Sequence, residues 1–141
     1  MRSTSADHEL ASRLRHAVAR AARRLRQEAG TDLSPSLSAA LATIDRHGPL
    51  TPSELAGRER VQRPTVTRVV YRLEEAGLVT RAADPADGRG SLITVTSAGR
   101  ALLASARSRK DAFLSERLEA LGPEDRAALE RAAALLEGML E

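Results

Sequence analysis

Cysteine is absent from this 141-residue sequence, which excludes disulfides, thiolate metal sites and thiol-based redox sensing. Aromatic residues are nearly absent as well: Tyr71 and Phe113 stand alone, and there is no tryptophan. A core built from Ala, Leu and Val without aromatic bulk suits packed helices better than a sandwich or barrel. Long apolar runs are missing, so no membrane span is expected, and no signal-peptide hydrophobic stretch opens the chain. A cytoplasmic location is the corresponding expectation. Lysine occurs once, at Lys110, so the positive charge is almost entirely arginine.

What remains is an ordinary globular composition. Hydrophobic residues make up 42% and charged residues 29%, too apolar for a disordered chain. The net charge of +3 says little about partners, but its distribution says more. From Arg58 to Arg72 there are five arginines against one acid, Glu59, whereas from Asp111 to Glu141 there are eight acids against three arginines. One face is thereby suited to phosphates and another is kept from them.

Periodicity places a long amphipathic helix over Ala6–Gln27, with Leu10, Leu14, Ala17, Val18, Ala21 and Leu25 in register. Ser34-Pro35 reads as an N-cap followed by proline, opening a helix through Leu37, Leu41 and Ile44 that His47-Gly48-Pro49 ends. Thr51-Pro52-Ser53-Glu54 is a capping box that starts a short helix carrying Leu55 and Ala56. Arg63-Pro64-Thr65 opens another, which runs to about Ala76 and stops at Gly77. The period then changes. Leu78–Arg81 and Ser91–Thr96 read as strands joined by the turn-rich, charged stretch Asp84–Gly90. Thr96 or Ser97 caps a long helix through Leu118, and Gly122-Pro123 introduces a last one carrying Leu129, Leu136 and Leu140.

A short helix, a tight turn, a second helix and a charged hairpin make a winged helix-turn-helix, in which the second helix enters the DNA major groove and the hairpin reaches backbone or minor groove. The expected class is mainly α (α+β), with about six helices and a two-stranded wing. Three segments are expected: a dimerisation helix in 1–33, a DNA-binding region in 34–97, and C-terminal dimerisation helices in 98–141. On the helix from Pro64 to Ala76, Val66, Val69, Val70 and Leu73 fall on one side and Thr65, Arg68 and Arg72 on the other, with Thr67 and Tyr71 flanking. Short hydroxyls can approach base edges, and arginines reach guanine edges or phosphates. In the hairpin, Arg89 is flanked by Gly88 and Gly90 and can extend into a narrow groove of negative potential. Asp87 can hold that arginine or simply shape an Asp-Gly turn.

These residues also carry a resemblance. Leu55-Ala56, the run Arg63-Pro64-Thr65-Val66-Thr67-Arg68, Leu73–Val79, Asp84-Pro85 with Asp87-Gly88-Arg89, and Thr96 followed by Gly99-Arg100 resemble the MarR family of bacterial regulators over Leu33–Leu103. The resemblance implies a homodimer whose terminal helices interdigitate, a pseudo-palindromic operator in double-stranded DNA, and a repressor relieved by a small aromatic effector held between dimer helices and winged domain. It implies a contact surface of Arg63, Thr65, Thr67, Arg68 and Arg72, with Asp87, Gly88 and Arg89 on the wing. Where the family often has Gly in the turn and Ser as the next cap, this chain has Arg60 and Gln62. Arg60 is expected to take an ordinary turn or to add a phosphate contact, and Gln62 is a poorer cap.

Other classes have less support. Ser, His and Asp are present without a nucleophile elbow, phosphate loop or metal motif, so no enzyme is expected. His8, His16 and His47, even with Asp7, Glu9 and Asp45, lack ligand spacing, and no cofactor is expected. His16, Arg20, Arg46 and His47 lie where an effector cleft would be, though each suits a surface or capping role. The competing function is a winged-helix module that binds protein rather than DNA, since fold alone does not decide function.

Overall fold

The computed structural model describes residues 3–141; the first two residues of the expected N-terminal segment lie outside it. Among the described residues the order is α1 (Ser3–Glu28), α2 (Pro35–His47), α3 (Pro52–Glu59), α4 (Arg63–Glu75), β1 (Val79–Ala83), β2 (Ser91–Val95), α5 (Ser97–Glu119) and α6 (Pro123–Met139). This is the mainly helical winged architecture expected from the sequence. Its described residues divide into two compact units, Ala29–Arg107 and residues 3–28 with Ser108–Glu141.

The Ala29–Arg107 unit holds the core. Leu41 and Ile44 of α2, Leu55 of α3, Leu73 and Val70 of α4, and Ile93 of β2 are fully buried together with Leu50. Each such side chain contributes about 1.5–3 kcal/mol through burial. Local chemistry starts the helices where the core needs them. Ser34 caps α2 by accepting from the Leu37 amide at 3.3 Å, with Pro35 supplying the preset φ of a first helical residue. Thr51 caps α3 by accepting from the Glu54 amide at 3.2 Å, and its hydroxyl donates to the Glu54 carboxylate at 3.0 Å. The expected box is therefore closed side chain to side chain.

Both α3 and α4 end in the same way. At the end of α4 the Gly77 amide donates to the Glu74 carbonyl and the Leu78 amide to the Leu73 carbonyl, with Gly77 at φ 74°. This is the Schellman arrangement, completed by burial of Leu73 and Leu78. At the end of α3 the Arg60 amide donates to Gly57 and the Val61 amide to Ala56. Here the left-handed position is filled by Arg60 at φ 54°, ψ 46°. The ordinary turn expected of Arg60 is not what forms, because two α3 carbonyls are satisfied only if the chain reverses there. α4 begins without help from its cap: Gln62 makes no side-chain bond, and its carbonyl alone receives the Thr65 and Val66 amides.

The wing is a two-stranded antiparallel hairpin with Val79 opposite Val95 and Ala83 opposite Ser91. An isolated bridge between Leu50 and Ile93, closed by two backbone bonds of 3.1 and 2.7 Å, ties the approach to α3 onto β2. At the other end Thr96 joins wing to helix. Its hydroxyl donates to the Gly77 carbonyl at 2.7 Å and accepts from the Gly99 amide at 3.1 Å. Gly99 is obligatory for this closeness: a Cβ there would lie 2.3 Å from the Leu78 carbonyl oxygen and 2.7 Å from Val95 Cγ2.

The second unit is built differently. No residue of α6 is buried, and α1 from Thr4 to Glu28 has none either. Leu10, Val18, Leu114, Leu129 and Leu135 are exposed, as are Met139 and Leu140. Within this unit Phe113 is flanked by two guanidinium groups, Arg117 at 3.5 Å and Arg24 at 5.0 Å from the ring centre. No helix among the described residues is long and apolar enough to cross a membrane.

Two substitutions test the backbone account in urea denaturation at fixed protein concentration. Gly99→Ala should lower stability by about 2–3 kcal/mol, since backbone rather than a flexible side chain blocks the added methyl. Arg60→Gly should raise it by about 1 kcal/mol by relieving the left-handed strain; an unchanged or lowered midpoint would show that the arginine side chain itself stabilises the turn.

Candidate nucleic-acid interface

The buried stripe of α4 decides what the helix presents outward. With Val66, Val70 and Leu73 in the core and Val69 packed beside them, the opposite side carries Arg68 and Tyr71, flanked by Thr67 and Arg72. Tyr71 is 55% exposed, and its hydroxyl donates to Glu75 at 3.2 Å. Sequence periodicity sets this tyrosine at the flank; the structure sets it on the outward side, three residues beyond Arg68. Thr65 sits lower, partly buried at the edge nearest α2. The Thr67 hydroxyl donates to the Arg63 carbonyl one turn back at 3.1 Å, which leaves its oxygen free to accept.

Six of the eight expected site residues line two clefts. Thr65, Arg68 and Arg72 share a depression of about 250 Å³ with Ser34, Ser36 and Leu37 at the start of α2. Arg63, Asp87 and Arg89 share a more polar cleft of about 280 Å³ with Thr51, Pro52 and Ser53 at the start of α3. Thr67 lines neither, and Gly88 stands exposed at the wing tip, where an added Cβ would meet nothing within 4 Å. Arg63 is held in place by a hydrogen bond from its guanidinium to the Ser53 hydroxyl.

The wing tip is shaped by its acids. Asp84 accepts from the Ala86 amide at 2.9 Å and Asp87 from the Arg89 amide at 3.1 Å, two successive Asx turns. Of the two roles open to Asp87, the structure displays turn shaping. The other acids of this region are likewise engaged: Glu54 with Thr51, Glu59 with Thr43, Glu74 with Arg81 at 2.8 Å, Glu75 with Tyr71. Among the described residues no ion-pair or hydrogen-bond partner holds the guanidinium groups of Arg68, Arg72 or Arg89. Three guanidinium groups therefore stand unpaired and exposed to solvent, where each is open to an anionic partner.

Comparison with known proteins agrees with this geometry. The MarR family model matches residues 33–91. An HTH-type transcriptional regulator of Mycobacterium tuberculosis is 40% identical over 136 residues, covering 96% of this chain and 95% of its own length. A crystal structure of a Pseudomonas aeruginosa protein described as a transcriptional regulator superposes with a TM-score of 0.89 at 36% identity, covering 98% of both chains. A MarR family protein from Bacillus stearothermophilus gives 0.81 at 25% identity over 96% of both. Likeness in sequence and in fold thus extends over nearly the whole chain, far beyond the helix-turn-helix, and the chain belongs to the MarR family of transcriptional regulators.

Proposed function

We propose that the protein binds double-stranded DNA as a homodimer and represses transcription from a pseudo-palindromic operator. The observation that carries this reading is the exposed, unpaired arginine set, Arg68 and Arg72 on α4 and Arg89 on the wing that follows it. Such a surface suits phosphates, and an α4 lying in the major groove brings Arg68, Arg72 and the Thr65 and Thr67 hydroxyls to base edges. Tyr71, on the same side, adds a ring that can pack on a thymine methyl or sugar. Arg63 and Arg89 border the cleft beside the wing, suited to the flanking backbone or minor groove, with Asp87 and Gly88 forming the tip that presents Arg89.

Dimerisation is supported by the second unit. Helices as long as α1 and α6 with no buried residue gain little from their own burial, and isolated helices are marginal without packing. Leu10, Val18, Leu129 and Leu135 form apolar surface that a second copy would cover. In this reading residues 34–97 form the DNA-binding region, with 1–33 and 98–141 as dimerisation elements. A twofold dimer would set its two α4 helices one DNA turn apart, about 34–36 Å. Relief by a small aromatic effector is supported by the family resemblance, and activation instead of repression would use the same DNA-binding surface.

Fluorescence anisotropy against DNA from upstream of the gene, over a salt series, tests the reading. Affinity should fall steeply with salt, and Arg68→Ala or Arg72→Ala should each weaken binding by about 1–3 kcal/mol and relax sequence preference. Arg89→Ala should weaken all sequences alike and reduce the salt slope by about one. Normal affinity in all three variants would remove DNA from this surface and favour a protein-binding module. In sedimentation, the wild type should run as a dimer and a Leu129→Glu, Leu135→Glu double variant as a monomer; a monomeric wild type would refute the dimer.

A further inference from the structure

A cavity of about 300 Å³ opens between α2, α3 and α4, wholly inside the Ala29–Arg107 unit. Ala39 and Ala40 of α2 face it, and the shortness of these two side chains is what leaves the space. Val66 and Val69 line it from α4, and Val61 lines it from the turn after α3 while remaining 41% exposed. One charged group interrupts this apolar wall. Glu59 is partly buried, and its carboxylate accepts a hydrogen bond from the Thr43 hydroxyl. No basic side chain lines the cavity. Small-molecule sites run from about 300 to 1,000 Å³, mostly apolar with a few orienting polar groups, so this one suits a small ligand.

We propose that this cavity binds a small apolar molecule bearing a protonated amine, its hydrocarbon against Ala39, Val66 and Val69 and its ammonium on the Glu59 carboxylate. The sign follows from charge complementarity. An organic anion would be desolvated beside a carboxylate with no cation to receive it, while a neutral molecule would gain apolar contact without the charge-assisted hydrogen bond. Thr43 occupies only part of the accepting capacity of Glu59, so a second donor can be received without breaking the existing bond. The binding site stands on the cavity alone.

Its consequence rests on the DNA-binding function proposed above. Val66 and Val69 belong to the first two turns of α4, so an occupant touches the inner side of the helix whose outer side carries Arg68. A ligand that fits one placement of α4 better than another changes DNA affinity by that difference, and DNA changes ligand affinity by the same factor. This would be an effector site inside one winged domain, separate from any cleft against the dimer helices.

Calorimetric titration of the full chain, without DNA, with adamantylamine, adamantanol and adamantanecarboxylate compares three similar cages that differ in charge. The amine should bind about tenfold more tightly than the alcohol, and the carboxylate least. Glu59→Gln, which keeps an acceptor for Thr43, should bring the amine to the level of the alcohol; Ala39→Leu should fill the space and weaken both. No binding by any of the three, as when a second copy covers the cavity, or amine binding unmoved by both substitutions, would overturn the site. Anisotropy then reads the coupling separately. A DNA affinity lowered or raised by the amine in the wild type but not in Glu59→Gln supports it, and one unchanged at saturating amine overturns it. A wild type that binds no DNA at all would defeat the DNA-binding reading, while the titration still decides the cavity.

Discussion

The burial of Val66, Val70 and Leu73 beneath α4 holds the rest of the winged domain in its working arrangement. Rotating this helix by one residue, about 100°, would bring Val70 out of the core and turn Tyr71 or an arginine into it. Each lost aliphatic burial forfeits about 1.5–3 kcal/mol, and an unpaired buried guanidinium costs several more. These penalties exceed anything the weakly capped start at Gln62 can contribute. The rotation of α4, and so the identity of its outward residues, is set by its apolar side. The Schellman closure at Gly77 then locks the far end, since the Leu78 amide must reach the Leu73 carbonyl.

From that locked end the chain passes directly into the wing. Leu78 and Val79 are buried at the base of the hairpin, the Leu50–Ile93 bridge pins its second strand to the approach of α3, and Thr96 returns to Gly77. The hairpin base is thereby rigidly registered to both helices of the helix-turn-helix, while Arg89 stands on the exposed tip. An exposed arginine on a fixed base suits a groove contact: the direction is preset, and only the last side chain has to adapt. Asp84 and Asp87 contribute to this through geometry. Each accepts one backbone amide and so shapes the turn that carries Arg89.

Most of this frame was legible in the residues. Ser34-Pro35 and Thr51-Pro52 mark helix starts because capping is local chemistry, and the valine stripe of α4 shows at the helical period. Thr96 and Gly99 are visible as a motif, but the reason for Gly99 is the backbone carbonyl of Leu78, far upstream, which no local pattern contains. Arg60 was not readable, because a left-handed arginine is forced by the two α3 carbonyls it serves, against its own preference. Tyr71 is displaced from flank to outward side for a similar reason: the centre of the buried arc depends on how deeply Val69 and Thr65 sit, which is a matter of packing. The α2–α3–α4 cavity leaves no positive signal at all, since alanines at 39 and 40 read as ordinary helix formers.

The two units solve the burial problem in different ways, and composition explains the split. The winged unit concentrates its Leu, Ile and Val around one point and closes a core without aromatics. The helices α1 and α6 instead spread Leu and Ala along their lengths, with Phe113 occupied by two arginines. Leucines such as Leu129 and Leu135, left largely in water, forgo part of the stabilisation that full burial brings, which the proposed twofold partner would restore without any new sequence. The charge pattern favours the same division. The eight acids after Lys110 repel phosphate and so suit helices that meet another protein chain, while the arginine-rich turn and helix from Arg58 to Arg72 suit the polyanion. A chain that places these two surfaces in separate compact units can cover one with its own copy and leave the other open, and under the proposed dimer that separation would let two identical winged domains meet one DNA site.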